Sequence, residues 1–147
     1  MGVDVLPADF LVTPAILDAM GVDVQPGDVA LLRTGYGRLW RDPRRFILGG
    51  NGGQVAGPGP EVDGARWFSA RGVYAVGSDT VAFERMPSRE MAVHVHLLVE
   101  SGIHIIECLN LEELAASGVR EFGFVASPMK IEGGTGAPVR PLAICSS

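Results

Sequence analysis

All three histidines of this 147-residue chain, His94, His96 and His104, fall within eleven consecutive positions, and Glu107 follows three residues later. Neutral imidazole and carboxylate suit zinc or manganese, so this stretch is the first place to look for chemistry. If 103–109 is a strand, Ile103, Ile105, Glu107 and Leu109 share one face, and Glu107 points with its apolar neighbours toward a core. An ionised carboxylate there needs a cation or hydrogen-bond donors. A metal ion would meet that need. So would Lys130, an arginine, or backbone amides at the strand end. His94 and His96 read equally as satisfied core or surface imidazoles. His104 lies on the opposite strand face from Glu107 and is expected to be exposed or structural.

Other patterns carry less. Gly35-Tyr36-Gly37 lacks the third glycine of a dinucleotide fingerprint, and no GxxxxGK[ST], HExxH or GxSxG occurs. Ser78 and Asp79 are neighbours whose side chains would leave a strand on opposite faces, which argues against a shared catalytic role. Cys108 is expected to be a small packed residue. With Cys145 it forms neither a disulfide framework nor a CxxC site.

The elements that must position these residues alternate between helix and strand. Thr13-Pro14 followed by AILDAM has an N-cap, a proline at the first helical position and a closing Gly21. The apolar run 28–33 predicts a buried strand, and 61–71 a helix closed by Gly72. A strand is expected at 73–76, a helix at 91–101, and a strand at 103–109. A short helix at 111–116 and strands at 121–126 and 139–144 complete an α/β arrangement. The glycine- and proline-rich stretches 49–60 and 132–138 read as long turns. Arg38, Arg41, Arg44 and Arg45 read as a solvated loop. No internal repeat or domain boundary stands out.

Hydrophobic residues make up 47% and charged residues 20%, the profile of a folded chain with a core. A net charge of -5 argues against nucleic acid as a partner. No run approaches the roughly 18 apolar residues of a membrane span. The first ten residues carry Asp4 and Asp9 and no basic residue, unlike a secretory signal. A cytoplasmic protein is therefore expected.

Four ordered blocks carry a family resemblance: PGDVALLRTGYG (26–37), GPGPEVDGARWFSARGVYAVGSDTVAFE (57–84), VHVHLLVESGIHIIECLNLEEL (93–114) and FGFVASPMKIEGGTGAPVRPLAI (122–144). In sequence and order they resemble the cyclase family of metal-dependent hydrolases, which includes kynurenine formamidase-like and isatin hydrolase-like members. The resemblance implies a swivelling β/β/α fold and a catalytic divalent metal, zinc or manganese. It also implies hydrolysis of amide, lactam or ester-like bonds in small molecules such as N-formylkynurenine, as in tryptophan catabolism. His94 and Glu107 match the family's C-terminal metal-site histidine and glutamate. No catalytic or substrate-contacting residue is assigned.

The family's His-x-Gly-Thr-His-x-Asp-x-Pro-x-His motif lies upstream of every matched block, and no histidine precedes His94 here. The resemblance therefore implies one partial, N-terminally truncated domain over 1–147. His94 and Glu107 fall short of the three protein ligands usual for catalytic zinc, so this chain alone is expected to hold an incomplete site. A complementing N-terminal segment would supply the rest, and exposed sheet edges would favour a homo-oligomer. The alternative is a non-catalytic oligomerising or small-ligand-binding module that retains the scaffold.

Overall fold

The computed structural model describes residues 4–50 and 53–145. The chain divides into two compact units, Met1–Glu113 and Leu114–Ser147. The first begins with β1 (Leu11–Val12) and α1 (Pro14–Ala19), then β2 (Val29–Leu32) and a 3-10 turn over Tyr36–Leu39. Next come α2 (Pro43–Leu48), β3 (Gly59–Pro60), α3 (Val62–Ala70) and β4 (Ala75–Ser78). Helix α4 starts as an α-helical turn over Ala92–His94 and continues as a π-helix over Val95–Glu100, followed by β5 (His104–Ile106). Helix α5 (Glu112–Ser117) runs across the division.

Local chemistry explains most of these boundaries. Thr13 Oγ1 accepts the Ile16 N–H at 3.3 Å, with Pro14 at the first helical position of α1. Asp42 Oδ1 accepts the Arg45 N–H and Pro43 follows it, the same signature. That corrects the expectation of a solvated loop for the arginine cluster: Arg44 and Arg45 lie in α2, whose Phe46 is buried. The 49–60 stretch is mostly irregular, as expected, although 51–52 lie outside the described residues.

The central sheet runs β2-β4-β5 and is parallel throughout, with Val29 opposite Ala75 and Ala75 opposite His104. β4 is buried at all four positions, as a middle parallel strand covered on both faces should be. It begins two residues later than the expected 73–76. β1 and β3 form a separate parallel pair. The core joins Val12, Leu17, Leu32, Phe68, Val76, Phe83, Val93 and Leu97. Phe68 meets Trp67 and Phe83 edge-on at centroid distances of 5.0 and 5.8 Å.

Helix α4 is anchored by Val93 and Leu97, both essentially buried, and closes through Gly102 at φ 66°. Its five-residue bond, Ser101 N–H to His96 carbonyl at 3.0 Å, is the π-type widening. The expected helix at 91–101 is present; its π character carried no signal in the apolar spacing.

β5 stops at Ile106 rather than at 109. Cys108 adopts φ 57°, and its N–H and that of Leu109 turn back to the carbonyls of Thr80 and Ser78. Strict alternation therefore ends before Glu107. The expectation that Glu107 faces the core fails for this reason: its side chain is 30% exposed. Cys108 is exposed, not packed.

In the second unit β6 (Gly123–Val125) pairs antiparallel with β7 (Leu142–Ile144), Phe124 opposite Ala143. Among the described residues no helix is long and apolar enough to cross a membrane.

Candidate metal centre

Three side chains meet at the start of α4. His94 lies on the helix, Glu107 one residue beyond β5, and Glu84 on the irregular segment after β4. Their placement begins with Gly59 in β3. A β-carbon there would stand 2.7 Å from both the Arg85 nitrogen and the Glu84 carbonyl carbon, so only glycine lets segment 83–85 lie against β3. Reciprocal bonds between Met86 and Gly57, and from Arg85 N–H to the Pro60 carbonyl at 3.0 Å, hold that segment in place.

Glu84 is buried, 3% exposed, and its Oε2 lies 3.2 Å from the His94 backbone nitrogen and 2.6 Å from His94 Nδ1. On the other edge of the ring, Nε2 lies 3.1 Å from Glu107 Oε1. That oxygen also accepts the Phe83 N–H at 2.8 Å, which fixes Glu107. The imidazole is thus held between two carboxylates. Its pKa is raised, first by the Glu107 hydrogen bond and next by that of Glu84, while burial opposes both.

Two ligand atoms each about 2.0–2.2 Å from one metal lie about 2.8–3.6 Å apart at octahedral to tetrahedral angles. His94 Nε2 and Glu107 Oε1 satisfy this at 3.1 Å. Glu84 does not join them, because it engages the opposite ring nitrogen. Among the described residues no three His, Cys, Asp or Glu side chains come together to hold a metal. These residues fit two positions of a coordination shell, and a complete site needs ligands from elsewhere.

The other candidates have structural partners. His96 Nε2 lies 2.8 Å from Ser69 Oγ and Nδ1 lies 2.8 Å from Glu100. This has the order of a Ser-His-acid triad, but the Ser69 hydroxyl is tied to the Arg66 carbonyl of its own helix at 3.2 Å. The group pins α3 to α4. His104 is exposed and its ring lies 5.2 Å from that of Tyr74. Ser78 bonds to Thr80, and fully buried Asp79 accepts from Thr34 N–H and Oγ1, Gly35 N–H and Gly37 N–H. The two residues have different partners, although Asp79 lies just beyond the end of β4 and so outside the strand alternation that the expectation used. A cavity of about 310 Å³ is lined by Pro60, Val62, Glu84, Pro87, Arg89 and Val93, among others.

Glu84 is the residue that sequence reasoning missed. Its signal was available: a lone carboxylate in the apolar run 81–84 raises the same question as Glu107.

Comparison with known proteins places the chain in a family. The family model described as "Putative cyclase" matches residues 3–85, more than half of the chain. Isatin hydrolase from Roseibium aggregatum is 26% identical over 143 residues, covering 92% of this chain and 53% of that protein. A crystal structure of a novel cyclase superposes with TM-score 0.78 at 30% identity, covering 93% of this chain and 47% of the other. An isatin hydrolase bound to the product analogue thioisatinate gives TM-score 0.80 at 22% identity, covering 96% and 55%, a likeness of fold alone. A potential metal-dependent hydrolase with cyclase activity gives 0.66 at 25%, covering 92% and 58%. The chain spans about half the length of the relatives it matches. With its mixed α/β architecture, this chain belongs to the cyclase family.

Proposed function

We propose that this chain forms part of a metal-dependent hydrolase of amide, lactam or ester-like bonds in small molecules, and contributes His94 and Glu107 as two ligands to zinc or manganese. The observation that carries the proposal is the 3.1 Å approach of His94 Nε2 to Glu107 Oε1, a hydrogen-bond distance that two ligands of one ion can also share. A bound divalent ion would acidify water and polarise the carbonyl under attack. In this chain Phe83 N–H orients Glu107, and α4 holds the His94 ring through the buried Val93 and Leu97. The cyclic amide isatin is the first substrate to test, given the isatin hydrolase relative. A homo-oligomer or a complementing N-terminal segment would supply the remaining ligands. A cytoplasmic location and no nucleic-acid partner complete the proposal.

The test is metal retention. Chain loaded with zinc or manganese and then dialysed should hold metal, and His94→Ala with Glu107→Ala should release it. Equal retention by the double variant rejects the assignment. Isatin opening is then assayed with and without a complementing N-terminal segment.

A second reading is a non-catalytic oligomerising or small-ligand-binding module. It is favoured by the lack, among the described residues, of three converging metal-ligating side chains. No metal uptake together with a stable assembly of the chain alone would select it.

A further inference from the structure

The two carboxylates beside His94 differ in geometry. Glu107 stands at 3.1 Å, a long hydrogen-bond distance that two ligands of one ion can also share, whereas Glu84 stands at 2.6 Å, that of a short charge-assisted hydrogen bond. The Glu84 oxygen facing Nδ1 also lies 3.2 Å from the backbone nitrogen of the same histidine. Ring and main chain of His94 are therefore fastened to one oxygen, which limits rotation of the imidazole. Burial leaves Glu84 few other ways to satisfy its charge.

We infer that Glu84 is a positioning residue that holds His94 as the Nδ1–H tautomer and leaves the Nε2 lone pair directed to the place beside Glu107 where a divalent ion would bind. Neutral imidazole has one donor nitrogen, and each ring nitrogen faces a carboxylate that can only accept. The shorter contact, 2.6 Å to Glu84 against 3.1 Å to Glu107, together with the hold of the same Glu84 oxygen on the His94 backbone, assigns the proton to Nδ1. Carboxylate partners of this kind fix ligand tautomer and orientation at metal sites generally. The inference rests on the assignment of His94 as a ligand, but its central claim concerns the metal-free ring and is tested there.

The experiment uses the 15N-labelled chain without metal, at a pH high enough for His94 to be neutral. Long-range 1H–15N correlations identify the protonated nitrogen, with His94→Gln assigning the signals. The expected result is a proton on Nδ1 in the wild type and in Glu84→Asp, and a mixture of tautomers in folded Glu84→Gln. Zinc or manganese titration should then show affinity weakened about 10–100-fold in Glu84→Gln. A wild-type ring protonated at Nε2 overturns the inference, and needs no variant to fold. Unchanged tautomer and affinity in folded Glu84→Gln overturns it too, since a purely structural role would move stability alone. A proton on Nδ1 with no metal uptake supports the role of Glu84 and rejects the ligand assignment instead.

Discussion

Gly59 is pressed against the backbone of Glu84: a β-carbon at position 59 would come within 2.7 Å of the Glu84 carbonyl carbon. The carboxylate that faces His94 is therefore placed by a glycine 25 positions earlier, through a β3 strand only two residues long. The obstructing atoms are main chain, which cannot rotate aside as a flexible side chain would.

Gly59→Ala should accordingly cost about 1–3 kcal/mol of stability, the range for overpacking a filled site. It should also shift the NMR signals of His94, because segment 83–85 must move. Urea unfolding and a 1H–15N spectrum check both effects. Wild-type stability with unmoved His94 signals would show that β3 does not place Glu84.

Asp79 is fully buried and collects four donors from Thr34, Gly35 and Gly37. Gly35 takes φ 88°, which turns its N–H toward this carboxylate. Asp79→Ala strands these donors and should cost about 3 kcal/mol or more. Asp79→Asn keeps the shape and part of the accepting capacity, so it should cost less. Urea unfolding of the two variants gives the order, and equal costs would contradict it.

The sequence made the scaffold readable where local chemistry decides structure. Thr13-Pro14 at α1 and Gly72 after α3 worked because caps and left-handed glycines act within a few residues. Asp42-Pro43 offered the same signal but was obscured by its arginine-rich neighbourhood. His94 and Glu107, singled out from the sequence, do lie side by side, but the strand-face argument for Glu107 assumed that β5 continues, whereas the turn at Cys108 ends it. Glu84 could be noticed as a lone carboxylate in the apolar run 81–84, but its place beside His94 could not be read from periodicity. Its position depends on an irregular segment and on a close approach to Gly59 that no spacing rule encodes.

Glu112 makes a two-bond contact with Arg33, Nε and Nη2 each at 2.9 Å, and also accepts from Arg38. Its pKa is lowered from the ordinary 4.5, first by the Arg33 hydrogen bond, with burial opposing. A depressed folded pKa gives stability that is present above the unfolded value and lost as pH falls through the folded one. Glu112→Gln should thus unfold at lower urea than wild type above pH 4.5, with the gap closing in acid. A gap that persists in strong acid would mean that charge is not its source.

His94 should show the opposite sign in the metal-free chain. Its folded pKa is raised above the ordinary 6.5, with the Glu107 hydrogen bond the largest cause, so the protonated ring is favoured by folding. That contribution is complete below about pH 6.5 and is lost as pH rises through the folded value. The difference in urea midpoint between wild type and His94→Gln should therefore shrink as pH rises above 6.5 and through the raised folded value. A bound zinc or manganese ion would compete with the Nε2 proton, so saturating metal should flatten this dependence and move the stabilisation toward alkaline pH. Urea titrations at several pH values, with and without metal, measure both effects. A wild-type advantage that grows with pH in the metal-free chain would show that the two carboxylates do not hold a protonated ring.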